Sequence, residues 1–396
     1  MLSTIEIPVQ AAAPAAAGDW IGRPPNLAQR LSVFWIGLVG VLFPGAGPLL
    51  LGGMEAAGRL TANQLGLAGM AELVAMGIGA ALIGPLFGER RLRLAAVSCG
   101  LALAMLDLAT TRASGDLLIL VRALAGLPAG AMIWLITGMI VRSPRPERWA
   151  GLYLTTQTLL QLGVVTVIGA FVVEPFGPDG GFVVLAALAV SAVLAGWAIP
   201  SVYAPLVETE ENPRGLPSSR GWIALAAVFC FQAFILAVWI YAEPLSRQAG
   251  HPPSVASAAF AVSLAAQVAG GAAATALAGR LSWFWSLTVA VVLAAGALLV
   301  MASLPSAAMF LAASAVFGFV WLFASPYLTP LAIEADPSRR AALLGPGASL
   351  LGCGAGPLLA SFMVSGVDVR PAGWLGAGLA LVTLVIVAFL RVTKPR

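Results

Sequence analysis

The sequence predicts an all-α polytopic membrane protein with twelve transmembrane helices in two six-helix halves. Three observations predict it. The 396 residues are 60% hydrophobic and only 10% charged, with a mean hydropathy of +0.96, a composition that soluble domains do not have. The apolar residues form twelve segments of about 20 residues, the length that crosses a bilayer as a helix. These segments lack the alternation of barrel strands, and a polar interval divides them six and six.

The chain before the first apolar segment, residues 1–29, is rich in alanine and proline. Its first charges are the acids Glu6 and Asp19, so it has no basic region followed by an apolar one. This pattern predicts a disordered cytoplasmic tail and not a signal peptide.

The predicted helices occupy two domains, 30–200 and 221–396, joined by a cytoplasmic linker at 201–220. The linker carries acids and prolines and has no apolar period. The approximate spans, numbered 1 to 12, are 31–53, 64–87, 94–111, 117–141, 149–173, 181–200, 221–243, 255–278, 283–303, 306–331, 341–365 and 371–391.

The distribution of basic residues predicts the orientation. With the amino terminus inside, 16 of the 21 lysines and arginines fall in inner loops and tails, four fall in outer loops, and Arg122 lies within a span. This is the asymmetry of a bacterial-type inner-membrane protein with both termini in the cytoplasm. Because the basic residues are dispersed, the net charge of +4 gives no indication of nucleic-acid binding.

Few residues offer catalytic or metal chemistry. Cys99, Cys230 and Cys353 all fall inside apolar spans, which is typical of packing residues. The single histidine, His251, lies in a loop, and the acids are scattered. The sequence therefore predicts no metal site, no cofactor and no enzyme, because a membrane-embedded enzyme needs a cluster of such groups.

The two halves repeat weakly at an offset of 187 to 191 residues. Trp134 in span 4 corresponds to Trp321 in span 10, and Gly163 in span 5 corresponds to Gly354 in span 11. Two similar bundles joined by a linker favour a two-lobed body with a site between the lobes.

Span 4 carries one charge, Arg122, about 9 Å inside the hydrocarbon layer at 1.5 Å per residue. Gly126 and Gly130 follow on the same helix face, where a neighbouring backbone can approach closely. An arginine here either lines a pathway and has a partner, or extends to the outer headgroups.

Glu72 lies about 12 Å deep in span 2, where a carboxylate needs a cation or a proton. Two hypotheses follow: Glu72 carries a proton in transport and Arg122 adjusts it, or the two residues form a permanent structural pair. Asp107 in span 3 is a competing partner for Arg122.

The chain resembles the major facilitator superfamily (MFS) over nearly all its length after the tail. The resemblance rests on the six-plus-six layout, on the span-4 pattern Arg122-xxx-Gly126-xxx-Gly130, and on a loop motif between spans 2 and 3. That motif differs from the family pattern because a glycine occupies the place of its usual acid and the second glycine is missing. Span 5 also lacks the Gly-Pro motif of many drug–proton antiporters. The motif residues are Gly84, Gly88, Glu89, Arg90 and Arg91.

The resemblance implies the MFS fold, with spans 1, 4, 7 and 10 lining a substrate cavity and span 5 beside it. It also places span 3 toward lipid, which favours Glu72 over Asp107 as the proton carrier. Trp35 in span 1 reads as an interfacial anchor, while the deeper tryptophans either stack on a substrate or pack the core. The candidate cavity residues are Tyr153, Gln157, Gln161, Trp134, Gln232, Trp239, Gln267, Trp321, Ser325 and Tyr327.

Two further features concern gating. Glu55/Arg59 and Glu243/Arg247 are i, i+4 pairs at the outer ends of spans 1 and 7, and their matching places make an outer gate conceivable. Pro44 and Pro48 remove helical hydrogen bonds and should bend span 1.

The sequence thus predicts a monomeric secondary transporter that moves a small, partly apolar organic solute through the lipid bilayer by alternating access. Proton coupling through Glu72 with Arg122 is expected, with a slight preference for efflux because the cavity has few charges and several aromatic residues. The alternatives are a proton-coupled uptake permease and a transport-inactive receptor or assembly factor of the same fold.

Overall fold

The computed structural model describes residues 19–88, 90–206, 216–364 and 368–393. Most of the predicted tail, the middle of the predicted linker and the motif residue Glu89 lie outside the described residues. Within these ranges the chain forms fifteen α-helices: α1 (Leu27–Gly40), α2 (Leu42–Ala56), α3 (Ala62–Phe87), α4 (Leu92–Thr110), α5 (Gly115–Ile140), α6 (Pro146–Val167), α7 (Val173–Gly196), α8 (Ser219–Trp239), α9 (Ala242–Gln248), α10 (Pro253–Leu277), α11 (Trp283–Ala302), α12 (Ala307–Ala324), α13 (Leu328–Ala335), α14 (Arg340–Ser361) and α15 (Pro371–Val392).

Eleven apolar helical runs in the described residues are long enough to cross a membrane. One of them, Pro146–Gly196, has 51 residues, about 76 Å of helix at 1.5 Å per residue, enough for two crossings. A π-helical turn at Ile168–Val172 and the non-helical Gly177 (φ 65°, ψ −171°) interrupt it. The predicted all-α membrane fold is therefore confirmed, and the helix count is close to the predicted twelve.

Three further predicted spans are broken helices. Span 1 is divided at Val41 (φ −111°, ψ 12°) into α1 and α2, and both Pro44 and Pro48 lie inside α2 after the break. Span 7 is divided between α8 and α9. In span 10 a 3₁₀ turn, Ser325–Tyr327, separates α12 from α13. Such breaks free backbone groups inside the membrane, and other side chains must then satisfy them.

The helices pack as two lobes, each with its own apolar core. The N lobe contains α1 to α7 and the C lobe contains α8 to α15. We call the end of the molecule at which α3 ends and α4 begins, and at which α7 ends and α8 begins, the linker end, and the opposite end the far end.

The lobes meet through close helix contacts in the middle of the helices and toward the linker end. A β-carbon on Gly77 of α3 would lie 3.1 Å from the Leu351 side chain of α14, and one on Gly151 of α6 would lie 2.6 Å from Thr275 Oγ1 of α10. Arg339 also donates a hydrogen bond across the lobes to the Val141 carbonyl. Small residues permit this approach of backbones.

Toward the far end, the helix faces that make these contacts are no longer covered by the other lobe. Eleven residues make three helical turns, so Leu162 lies on the α6 face of Gly151, Leu264 on the α10 face of Thr275, and Leu358 on the α14 face of Gly347. These three leucines are 52%, 40% and 45% exposed. The faces that contact each other between the lobes are therefore exposed toward the far end, and we call the space between these exposed faces the gap.

The ordered body extends into the segment predicted as a disordered tail. The Trp20 ring lies 6.0 Å from the Trp149 ring, and the Arg30 guanidinium lies over both. The Ile21 amide donates to the Arg142 carbonyl. Residues 19–26 thus pack on the N lobe, because aromatic and cationic side chains within the Ala/Pro-rich composition provide specific contacts.

Candidate functional site

The arginine of span 4 lies inside the N lobe at the contact between α3 and α5. A β-carbon on Gly126 would collide with the carbonyl of Glu72, and one on Gly130 with that of Met76. The two glycines therefore let α3 come so close that Glu72 faces Arg122. Arg122 Nε donates to Glu72 Oε2 at 2.8 Å and Nη2 donates to Oε1 at 2.5 Å, a bidentate ion pair.

A second carboxylate completes this charge cluster, which we define as Glu72, Asp107 and Arg122. Arg122 Nη1 donates to Asp107 Oδ1 at 2.7 Å and to Thr110 Oγ1 at 3.2 Å, both on α4. The side chains of Arg122 and Glu72 are 0% exposed and that of Asp107 is 4% exposed. Arg122 therefore does not extend to the headgroups.

The burial of Asp107 is compatible with the placement of span 3 toward lipid that the resemblance implied. Asp107 lies on the face of α4 that packs against α5, so its carboxylate points into the lobe. Another face of α4 carries the exposed residues Leu101, Met105 and Leu108. Asp107 is a partner of Arg122 together with Glu72 and not in place of it, because one guanidinium binds both carboxylates.

Two aromatic rings cover the guanidinium. Arg122 Cζ lies 4.0 Å from the ring centroid of Phe43 on α2 and 5.2 Å from that of Phe182 on α7, and the two rings stack at 6.3 Å. A cation over an aromatic face is stabilised, more so when it is desolvated. These rings exclude water from a cluster that carries one positive charge and two carboxyl groups.

Two of the predicted cavity residues on span 5 bind the backbone of span 1. Tyr153 OH donates to the Gly37 carbonyl at 2.9 Å, and Gln161 Nε2 donates to the Val41 carbonyl at 2.5 Å. Gln161 thus satisfies a carbonyl at the break of span 1. Gln157, between them in sequence, is half-buried and remains the span-5 candidate for contact with a solute.

The C lobe brings two predicted tryptophans together. The Trp239 ring lies 5.5 Å from Phe317, 4.9 Å from Phe260 and 6.3 Å from Trp321. Both tryptophans are only partly buried. They form the edge of an aromatic cluster on α8, α10 and α12.

The polar candidates of the C lobe differ in their surroundings. Gln267 lies one turn from Gly271 on the face of α10 that meets α6, at the base of the gap, and is 6% exposed. Gln232 Oε1 and Tyr327 OH are buried, and no hydrogen-bond partner is found for either in the described part of the chain. Ser325 Oγ donates to the Trp321 carbonyl of its own helix at 2.8 Å.

Other predicted residues lie apart from this gap. Trp134 is enclosed in the N lobe, where its Nε1 would lie 3.3 Å from a β-carbon on Gly84. Trp35 Nε1 donates to Ser191 Oγ at 2.9 Å.

The loop motif follows α3. Gly88 ends that helix at φ 64°, a left-handed conformation that favours glycine, which accounts for a glycine at this place. Arg90 and Arg91 line a groove at the linker end together with Leu86 and Val202.

The predicted pairs at the far end have different outcomes. Glu243 and Arg247 form the expected i, i+4 pair at 3.5 Å, well exposed. Arg59 instead binds Asp179 at 2.6 Å and also donates to the Ala113 carbonyl. The predicted Glu55/Arg59 pair is thus replaced by a bridge within the N lobe, because Arg59 has a nearer acid and carbonyls at the end of α4.

Sequence reasoning missed several residues of this site. Phe43, Phe182 and Thr110 contact Arg122, yet in apolar spans a phenylalanine or threonine carries no pattern that separates it from packing residues. In the described residues no group of three or more His, Cys, Asp and Glu could hold a metal ion.

The fold and site define a multi-pass membrane protein of the transporter type. The family model of the Major Facilitator Superfamily matches residues 31–345, and the chain belongs to this family. It is a transporter-family protein and not an enzyme, as the sequence predicts. No curated protein sequence matches the chain.

Solved structures support the same fold. The human organic anion transporter MFSD10 (TETRAN) matches with a TM-score of 0.74 at 16% identity, over 92% of this chain and 100% of that one. FucP, the E. coli fucose:proton symporter, matches in its outward conformation with a TM-score of 0.71 at 16% identity, over 92% and 98%. The proton:xylose symporter XylE matches with a TM-score of 0.70 at 13% identity, over 93% and 96%.

Proposed function

We propose that the chain is a secondary transporter that moves a small, partly apolar organic solute across a bacterial-type inner membrane by alternating access, coupled to protons through Glu72 with Arg122. The observation that carries the proposal is the charge cluster enclosed in the N lobe, together with lobe faces that contact each other toward the linker end and are exposed toward the far end. Lobe faces exposed toward one end belong to one of the two states that alternating access requires.

The gap supports a partly apolar solute. The aromatic cluster around Trp239 and Trp321 offers ring faces, and Gln157 and Gln267 offer amide groups for hydrogen bonds. Pockets of this kind combine apolar walls with a few polar groups that orient the ligand. Few charges and several rings favour export slightly over uptake.

The composition of the charge cluster supports proton coupling. With both carboxylates ionised, Glu72, Asp107 and Arg122 would carry a net charge of −1 in a site closed to water, which is costly in a low dielectric. One bound proton makes the cluster neutral. FucP and XylE are named as proton symporters, which is consistent with coupling in this fold.

The proposed orientation follows from the basic residues. They concentrate in the loops and tails of the linker end, so that end and both termini are assigned to the cytoplasm. In this orientation the exposed faces of the gap lie toward the outside.

Transport in proteoliposomes tests the proposal. A thermal-shift screen of uncharged aromatic and aliphatic solutes first finds one that raises the melting temperature, because a ligand of the folded state stabilises it. Its transport should depend on a pH gradient in the wild type and lose that dependence in Glu72→Gln.

Glu174→Gln is the matched control, because Glu174 is an exposed acid at the far end and makes no contact with the cluster. Transport by Glu72→Gln that still follows the pH gradient as in the wild type would overturn the coupling. A protein that binds a solute but never moves it would be the transport-inactive alternative.

A further inference from the structure

A small cavity adjoins the two carboxylates of the charge cluster. Its volume is about 10 Å³, at the lower limit of what one water molecule occupies. Glu72 and Asp107 both line it, so a water there would have carboxylate oxygens as partners on two sides. The remaining lining residues are apolar.

One wall of this cavity comes from the break in span 1. Val39, Gly40, Leu42 and Phe43 line it, and they flank Val41, the residue at which α1 ends and α2 begins. A movement of α2 relative to α1 therefore displaces this wall. Gln161 holds the break through its hydrogen bond to the Val41 carbonyl.

Phe43 joins the cavity wall to the cation. Its ring lines the cavity and lies 4.0 Å from Arg122 Cζ, and the residue is 8% exposed. Phe182 also covers Arg122 but belongs to α7 and is 0% exposed. Of the two rings over the guanidinium, Phe43 is the one that lines the cavity, and it lies two residues from the break at Val41, whereas Phe182 lies five residues from the non-helical Gly177.

We propose that the cavity binds a single water molecule that exchanges protons with Glu72 and Asp107, and that Phe43 is the gate that closes this water site until span 1 bends at Val41. Phe43 is a positioning residue, since it controls access and carries no proton. This inference rests on the proposed function and adds the route by which the proton enters.

A hydronium ion in the gap gives one proton through the cavity water to a carboxylate, which becomes a neutral carboxylic acid with a new O–H bond, and the hydronium becomes water. Asp107 is the entry point, because its Oδ2 accepts none of the Arg122 hydrogen bonds, whereas both oxygens of Glu72 accept one. The proton then passes through the same water to Glu72, and Asp107 becomes a carboxylate again. The reverse step returns the proton.

Among the described residues, the charged groups at the water site are the three members of the charge cluster. Helix α3 provides Glu72, α4 provides Asp107 and the Thr110 hydroxyl, and α5 provides Arg122, while α2 and α7 present the two rings. A pH response of this site therefore reports on Glu72 and Asp107.

A proton-leak measurement without any solute tests the gate. Full-length protein is reconstituted into vesicles containing a trapped pH-sensitive dye, and proton entry is followed after an acid shift of the outside buffer, with valinomycin and potassium clamping the membrane potential. Phe43→Ala should leak protons several-fold faster than the wild type, because the carboxylates then take up protons from the gap without a solute and release them on the other side when the lobes alternate. Phe43→Leu should leak at an intermediate rate.

Phe34→Ala is the matched control, since Phe34 also lies in span 1 and is buried to the same extent, but it packs on Trp149 and Tyr153, away from the cluster. It should leak at the wild-type rate. Adding Glu72→Gln and Asp107→Asn to Phe43→Ala should restore the wild-type rate, because no carboxylate then accepts the proton.

Three results would overturn the gate proposal. The first is no faster leak in Phe43→Ala and Phe43→Leu, and the second is a leak in Phe34→Ala equal to that in Phe43→Ala. The third is a leak that persists when Glu72→Gln and Asp107→Asn are added to Phe43→Ala, because the protons then pass through a general defect. A Phe43→Ala protein that fails to elute as a single species leaves Phe43→Leu to decide. If Glu72→Gln uncouples transport while the Phe43 variants do not leak, the gate fails and the proposed function remains.

Discussion

Replacement of Arg122 by leucine tests the energetics of the charge cluster. The change removes two charge-assisted hydrogen bonds to Glu72 and one to Asp107. Both carboxyl groups remain buried, since the side chains of Glu72 and Asp107 are at most 4% exposed. Removing one partner of a buried ion pair costs about 3–5 kcal/mol, because the remaining charge is uncompensated. We expect Arg122→Leu to lower the free energy of unfolding by that amount.

The assay is SDS titration in mixed micelles, with tryptophan fluorescence as the signal. A second variant, Arg122→Leu with Glu72→Gln and Asp107→Asn, separates lost charge from lost packing, because it has the same cavity but no buried carboxylate. It should recover more than half of the loss. Arg122→Lys should give an intermediate value, since an ammonium group keeps the charge but lacks the planar fork that binds Glu72 through two bonds.

A small effect would refute this reasoning. If Arg122→Leu changes the free energy of unfolding by less than about 1 kcal/mol, the range of exposed ion pairs, then the cluster is solvated and not enclosed. If the triple variant is no more stable than Arg122→Leu, the loss arises from packing against the aromatic rings and not from charge.

Three further predictions concern packing, the helix break and a loop. Gly130→Val should destabilise the protein by about 1–3 kcal/mol in the same titration, because its side chain collides with the backbone of α3. Gln161→Leu should cost about 1 kcal/mol, since it leaves the Val41 carbonyl at the span-1 break without its donor. Hydrogen bonds from Arg370 lower the pKa of Asp368 in the loop before α15, with a further contribution from Gln248, so any stabilisation from this carboxylate is present above the ordinary value of 3.8 and is lost as the pH falls below it. The difference in melting temperature between the wild type and Asp368→Asn should accordingly shrink on acidification through that range.

Two of these predictions have a control that shares their chemistry. No atom lies within 4 Å of a β-carbon built on Gly163, so Gly163→Val should be tolerated where Gly130→Val is not. Gln157→Leu removes an amide from the same helix without touching the span-1 break. An equal loss in each pair, or a stability difference at Asp368 that grows toward acid pH, would contradict the structural reasons given.

The sequence alone was sufficient to predict those residues of the site that depart from the apolar pattern of their span. A charge in an apolar span is conspicuous, and its spacing from Gly126 and Gly130 correctly placed a close backbone on the same face as Arg122. The expected contact with Glu72 is present. These inferences succeed because the bilayer penalises each buried charge enough that a partner must exist.

The remaining contacts depend on how helices rotate about their axes, which composition does not determine. Asp107 faces Arg122 and not lipid because α4 presents that face to α5. Tyr153 and Gln161 share a helix face, as expected, but that face meets the broken backbone of span 1 and satisfies its carbonyls. A polar side chain in a span can therefore either line the substrate cavity or bind a carbonyl freed by a helix break. Only the position of the neighbouring break distinguishes these two roles.

The break in span 1 links these observations. Helix interruption at Val41 frees a carbonyl that Gln161 must satisfy, and the same interruption gives α2 an axis of movement independent of α1. Because α2 also carries Phe43 over Arg122, any bending of this helix at the gap alters the cover of the charge cluster. A continuous helix would have transmitted such bending along its whole length, whereas the break confines it to α2, which carries Phe43 beside the two carboxylates.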